Sequence, residues 1–203
     1  MTPLCELADK YQTDKGGKST IYGGCPGDTC HAYTPAYFLL FAGRQNEVRR
    51  VLEIGVNAGS SLRMWEEFFP HAKISGFDIL PHVLFNAGRI RCYQADQSSA
   101  ASLLDAVHRI ATLPEFDLIV DDGSHELQHQ LITMNTLLPF LSKGGIYVIE
   151  DVGGLHCNPR PILDHVPASF DVGLVECPGG QGKAHCPACG GPELLITIQR
   201  HVA

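Results

Sequence analysis

The acidic residues of this chain cluster where strands should end. Asp78, Asp96, the pair Asp121-Asp122 and the pair Glu150-Asp151 each follow a short apolar run. Solvated turns would account for one or two of them, but four successive strand tips carrying carboxylates argue for a binding site. Asp122, Glu150 and Asp151 form one constellation. Brought to one rim of a sheet, three carboxylates repel one another unless a cation or protons neutralise them. Hard oxygen donors suit Mg²⁺, with Mn²⁺ as a substitute, and leave coordination positions open for water or substrate. Without a metal the same residues would be solvated acidic loops. His125 stands three residues beyond Asp122. A neutral imidazole there could act as the catalytic base, taking the proton of a metal-held hydroxyl. His129, one helical turn further on, reads as a surface or packing residue.

A second constellation surrounds a glycine turn. The apolar run Val51-Leu52-Glu53-Ile54 passes into Gly55, Asn57 and Gly59, and Ser60 is placed to cap the helix that follows. A strand, a glycine turn and a helix N-terminus present bare backbone N–H groups to a ligand. Gly55 can take the tight turn, and Gly59 puts no Cβ between backbone and ligand. The dinucleotide pattern G-x-G-x-x-G has a glycine where this chain has Asn57, which disfavours NAD. Glu53 at the end of a buried strand suits a cationic ligand, and S-adenosylmethionine (SAM) carries an α-amino group and no phosphate. The plainer alternative is a glycine-containing turn of any α/β protein. Asp78, 23 residues after Gly55, can accept both hydroxyls of a ribose or can cap a turn ahead of Pro81. Asp96, with Gln97 beside it, can accept from an adenine amino group or cap the next helix.

The cysteines give a third, weaker constellation. Cys186-Pro187-Ala188-Cys189 looks like half of a structural zinc knuckle. The other half would come from Cys177, His185, Cys157 or the Cys25 and Cys30 pair; unliganded thiols are the alternative.

These residues need a scaffold, and the pattern supplies one. Strands are expected at 51–54, 73–78, 90–94, 116–121, 146–150, 170–177 and 194–200. Helices are expected at 4–11, 35–43, 60–69, 100–111, 126–141 and 162–165, with Gly144-Gly145 closing the fifth and a short helical or irregular piece at 81–88. Strands alternating with helices imply an α/β, Rossmann-like sheet of seven strands, mostly parallel, with helices on both faces and an antiparallel C-terminal hairpin. Ligands of such sheets bind outside the carboxyl ends of the strands. The 203 residues, 44% hydrophobic, are expected to form one domain: an N-terminal arm or lid over 1–45 and a core over 46–203. A net charge of −7 without a basic block disfavours nucleic acid as a partner. No apolar run reaches membrane length and the N-terminus is polar, so a cytoplasmic protein with mostly reduced thiols is expected.

The arm carries Tyr11-Gln-Thr-Asp-Lys-Gly16 and His31-x-Tyr33-x-x-x-Tyr37. The core carries Leu52-Glu-Ile-Gly-Val-Asn-Ala-Gly-Ser-Ser61, Gly76-Phe-Asp78, Val120-Asp-Asp-Gly-Ser-His125 and Val148-Ile-Glu-Asp151. With these motifs the sequence resembles the class I SAM-dependent methyltransferases. More narrowly, over residues 6–152, it resembles the metal-dependent sugar O-methyltransferases of macrolide and related natural-product pathways. The resemblance implies Glu53, Gly55 and Ser61 around the methionine part of SAM, Asp78 at the ribose and Asp96 near adenine. Thr13, Lys15, Tyr33, Asn57, Gly59 and Asp121 complete the implied cofactor-binding set. It also implies Asp122, Glu150 and Asp151 as Mg²⁺ ligands and His125 as general base. The expected activity is methyl transfer from SAM to a hydroxyl of a small molecule, a sugar or another natural-product intermediate, by a homo-oligomer. A catechol-type phenol acceptor, or a non-catalytic SAM- or nucleotide-binding module, are the alternatives. The segments Cys25–Cys30 and Cys177–Cys189 are not features of that family.

Overall fold

Alternate side chains of a strand face opposite sides of a sheet, and here both sides are apolar. Val51, Leu118, Val120, Ile146 and Val148 enter one core, while Leu52, Ile54, Ile119, Tyr147 and Ile149 enter the other. A sheet buried on both faces needs helices on both faces. The computed structural model, which describes residues 2–16, 31–110, 115–152, 158–177 and 193–202, has that architecture. In chain order the elements are α1 (Pro3–Tyr11), α2 (Thr34–Leu40), β1 (Arg50–Ile54), α3 (Ser60–Phe68), β2 (Lys73–Asp78), β3 (Asn86–Ala87) and β4 (Ile90–Gln94). They continue with α4 (Ala100–Ile110), β5 (Phe116–Asp121), α5 (Leu127–Leu137), β6 (Leu141–Ile149), α6 (Arg160–Leu163), β7 (Phe170–Cys177) and β8 (Glu193–Arg200).

The strands lie in the order β3-β4-β2-β1-β5-β6-β8-β7. The pairs from β4 through β6 are parallel, and β8 pairs antiparallel with both β6 and β7. The Rossmann-like sheet and its antiparallel C-terminal end are as the sequence pattern predicts. The arm helices pack on the face that holds α3, where Leu4, Ala8, Tyr33, Tyr37 and Phe41 share a core with Trp65 and Phe69. The opposite core takes Leu103 and Val107 from α4 with Met134 and Leu137 from α5.

Three local expectations need correction. The sheet has eight strands rather than seven, because residues 81–88 hold a 3₁₀ turn (Pro81–Val83) and the two-residue strand β3, paired antiparallel with β4. Ser60 does not cap α3. Gly59 takes the cap position in the left-handed region (φ +72°), no side chain caps it, and Ser60 is the first helical residue. Gly144-Gly145 does not close a helix: α5 ends at Leu137, a 3₁₀ turn follows (Leu138–Phe140), and both glycines lie within β6. Gly144 has φ +73°, and the β5–β6 register shifts here: Phe116 pairs with Leu141 and Leu118 with Ile146. Such a bulge needs the same positive φ as a helix stop.

Candidate functional site

The site follows from register. Ile54 of β1 pairs with Asp121 of β5, and Asp121 with Ile149 of β6, so three parallel strands end level. The ladder runs one residue further: the Asp122 N–H donates to the Ile54 carbonyl and the Glu150 N–H to the Asp121 carbonyl, both at 3.0 Å. Gly55, Asp122 and Glu150 therefore leave the sheet side by side. A cleft of about 240 Å³ opens above these tips. Of the predicted residues it is lined by Thr13, Gly55, Asn57, Ser61, Asp78, Asp122, His125 and Asp151. An adjoining pocket of about 230 Å³, lined by Phe77, Ile79, Ala95, Leu103 and Gln97 together with Asp78 and Asp96, continues from it.

Asp122, His125 and Asp151 converge in the cleft, each offering one ligand atom, all within 4.8 Å of one another. His125 Nδ1 is a buried atom with no hydrogen-bond partner among the described residues, 3.8 Å from Asp151 Oδ2. Two carboxylate oxygens at that separation suit a hard divalent cation such as Mg²⁺, and the imidazole nitrogen beside them is placed to accept a proton. Backbone strain gathers at the same place. Gln12, Ala32, Asn57, His125 and Asp151 have positive φ without being glycine, and all but Ala32 line the cleft. Such conformations persist only where the surroundings enforce them, commonly at ligand sites.

Glu150, the third expected ligand, is held elsewhere. It is 1% exposed, its Oε1 accepts from the Tyr37 hydroxyl at 2.5 Å and its Oε2 from Lys15 Nζ at 2.7 Å. Lys15, equally buried, also bonds Asp122 Oδ2 and stands 3.2 Å from Glu53 Oε1. Burial opposes the charge on Lys15, but Asp122, Glu150 and Glu53 together hold its pKa well above the ordinary value. Burial pushes Glu150 and Glu53 up, and the Lys15 ammonium works against that rise. The arm grips Asp151 as well: the Tyr33 hydroxyl donates to its Oδ1 at 2.8 Å, and the His31 ring stacked on Tyr33 comes within 3.5 Å of the same oxygen.

Several predicted cofactor residues do not face the cleft. Lys15, Tyr33 and Glu53 lie beneath it, Glu53 taking a 2.8 Å bond from the Trp65 indole. Gly59 has positive φ, and a Cβ there would meet the Phe85 ring. Asp121 is fully buried, accepting from Gln97 Nε2 at 2.6 Å and the Tyr147 hydroxyl at 3.2 Å. Its burial outweighs both bonds and raises its pKa to about 7. Asp78 lines both cavities, and its carboxylate receives the N–H groups of Val56 (2.9 Å), Asn57 (3.3 Å) and Leu80 (2.9 Å), so it also shapes the glycine turn. Asp96 binds the Ser98 N–H and hydroxyl, which lower its pKa. Cys186 and Cys189, with Cys25, Cys30 and Cys157, lie outside the described residues.

Sequence reasoning missed the residues that hold these groups: Tyr37 on Glu150, Trp65 on Glu53, and Gln130, whose amide donates to the Glu150 carbonyl at 3.0 Å. The available signals were the motif containing Tyr37 and a polar Gln130 on the buried side of α5.

A doubly wound sheet with a glycine turn after β1, an acidic tip on β2 and a cation-shaped cluster beyond β5 and β6 defines a Rossmann-like nucleoside-binding domain. Residues 52–152 match the family profile described as a methyltransferase domain, and the chain belongs to the class I SAM-dependent methyltransferases. It is 38% identical over 156 residues to the mycinamicin VI 2''-O-methyltransferase of Micromonospora griseorubida, covering 73% of this chain and 36% of that protein. It is 34% identical over 161 residues to the 8-demethyl-8-(2-methoxy-alpha-L-rhamnosyl)-tetracenomycin-C 3'-O-methyltransferase of Streptomyces olivaceus, covering 76% and 38%. Among solved structures, the MycE methyltransferase of the mycinamycin pathway, in complex with Mg, SAH and mycinamycin VI, superposes with a TM-score of 0.73. Identity there is 29%, over 98% of this chain and 55% of that one. The chain thus spans 36 to 38% of the curated relatives' length and about half of that solved chain. Among the described residues no helix is long and apolar enough to cross a membrane.

Proposed function

We propose that this chain is the SAM- and metal-binding domain of an O-methyltransferase acting on a hydroxyl of a small natural product, a sugar hydroxyl foremost. The observation that carries the proposal is the convergence of Asp122, Asp151 and the orphaned His125 Nδ1 beside the glycine-turn cleft. The sugar comes from curated relatives whose names print a rhamnosyl group. Asp78 would accept the ribose hydroxyls, and the apolar pocket of Phe77, Ile79 and Leu103 would receive the adenine. The turn at Gly55, Asn57 and Ser61 would face the methionine part. Asp122 and Asp151 would hold the cation, and Glu150 could join them only after parting from Lys15. When bound, Mg²⁺ would polarise the acceptor hydroxyl while SAM supplies the methyl group. His125, at the cleft mouth and 37% exposed, would take the hydroxyl proton. Residues 1–45 and 46–203 are proposed to work as one unit, the arm holding the metal-site carboxylates from below.

The test is methyl transfer to a panel of glycosylated and phenolic acceptors before and after EDTA. Loss on chelation, recovery with Mg²⁺ and SAM affinity unchanged throughout are expected. EDTA-resistant transfer would reduce the acidic cluster to a structural feature. His125→Ala should bind Mg²⁺ and SAM normally and slow transfer by roughly 10²–10⁴. Loss of Mg²⁺ affinity instead would make His125 a ligand, and full activity would remove it from the chemistry.

A further inference from the structure

Lys15 occupies an unusual position for a lysine. Its ammonium is buried among Glu53, Asp122 and Glu150 and belongs to the N-terminal arm, 107 and 135 residues from the last two. Asp122 and Glu150 are also two of the three carboxylates expected to hold the divalent ion. Candidate ligand atoms of Asp122, His125 and Asp151 converge, and Glu150 is absent from that group. Mg²⁺ binds carboxylate oxygens at about 2.0–2.1 Å. An ion drawn onto the oxygens of Glu150 and Asp122 that face Lys15 would stand against its Nζ, and two cations cannot share those oxygens.

We infer that Lys15 is a positioning residue of the metal site: a tethered cation that holds Glu150 and Asp122 together in the metal-free protein and yields them to the divalent ion. Metal binding is then an exchange of cations. Lys15 explains how several carboxylates can be gathered at one rim before any metal arrives, since uncompensated they would repel and resist burial. The arm backbone can stay docked while the side chain leaves. The Thr34 N–H bonds the Lys15 carbonyl at 3.1 Å, the Ala32 N–H bonds the Gly16 carbonyl at 3.1 Å, and Leu4 and Ala8 are buried against the core.

The inference rests on the metal site proposed above, and the experiment separates the two. Mg²⁺ is titrated by calorimetry, and Mn²⁺ by electron paramagnetic resonance, into the wild type, Lys15→Met and Lys15→Arg, without cofactor. Exchange predicts that Lys15→Met binds either ion at least about tenfold more tightly than wild type, because a close competing charge is gone. Lys15→Arg, which keeps the charge, should not tighten binding. Lys15→Met should also melt lower in EDTA and recover with Mg²⁺. A merely structural lysine predicts lost stability with metal affinity unchanged or weakened, which would overturn the inference. Should Lys15→Met fail to fold, the wild type supplies the measurement: acetylation of the Lys15 amine, followed by mass spectrometry. Exchange predicts slow modification in EDTA and a rate at least about tenfold higher with Mg²⁺; an unchanged or slower rate overturns it. If the wild type binds neither ion, the metal site fails and this inference fails with it.

Discussion

Gly55 joins the glycine turn after β1 to the Asp122-Gly123 loop after β5, and its replacement by alanine should damage both. It has φ +97°, and a Cβ there would overlap the Asp122 carbonyl oxygen, stand 2.9 Å from the carbonyl carbon and lie 3.3 Å from the Gly123 Cα. The obstruction is backbone on every side, so no side chain can swing away to relieve it. Gly43 is the matched control: it has φ +77° and nothing within 4 Å of an added Cβ. Both substitutions carry the left-handed penalty, about 1–2 kcal/mol. Only Gly55→Ala must also push the Asp122 strand tip away, straining the 3.0 Å bond from Asp122 N to Ile54 O. A lost buried backbone bond adds about 1–3 kcal/mol. Urea unfolding at fixed pH should therefore show Gly43→Ala destabilised by about 1–2 kcal/mol and Gly55→Ala by about 2–5 kcal/mol, with equal m-values. Displacing Asp122 by about 1 Å should also lower methyl transfer by about 10²-fold in the fraction that folds. Equal destabilisation by the two substitutions, or a fully active Gly55→Ala protein, would refute the steric coupling of turn and loop.

Two further outcomes are expected. Asp121 has a folded pKa of about 7 against an ordinary value of 3.8, so the folded state binds the extra proton between those values. Its contribution is present below pH 4 and is lost as pH rises towards 7, by at most about 4 kcal/mol. In EDTA, subtracting the stability curve of Asp121→Asn from that of wild type should leave a difference falling over this window; parallel curves would contradict it. Trp65→Phe removes the indole N–H from buried Glu53 and should cost about 1.5–3 kcal/mol in urea unfolding, whereas a cost below about 0.5 kcal/mol would mean that Lys15 and Ser61 satisfy the Glu53 carboxylate without the indole.

The fold was legible because β1, β4 and β5, strands of five or six residues, are each followed by a helix, and that alternation needs no long-range information. What escaped was local geometry whose signal has two meanings. Gly144 supplies a positive φ for a bulge, yet a glycine after a long apolar helix reads equally as its stop. The strand β3 is two residues long and has no period to detect. Ser60 follows a glycine that takes the cap position itself.

At the site, the positions of the carboxylates were legible and their directions were not. Neighbouring residues leaving a strand point to opposite sides, so the pairs Asp121-Asp122 and Glu150-Asp151 cannot each put both members in the cleft. One of each pair turns inward, Asp121 to Gln97 and Tyr147, Glu150 to Lys15 and Tyr37. Those inward contacts come from distant parts of the chain, which no periodicity encodes. They also set the charge balance of the site. Glu53, Asp122, Glu150 and Asp151 could carry four negative charges around one ammonium, and burial answers by pushing Glu53 and Glu150 up towards their neutral forms. A divalent ion and a sulfonium would supply the three positive charges that the arm does not. The electrostatics that make the metal-free domain depend on Lys15 thus make the same carboxylates receptive to that pair of ligands.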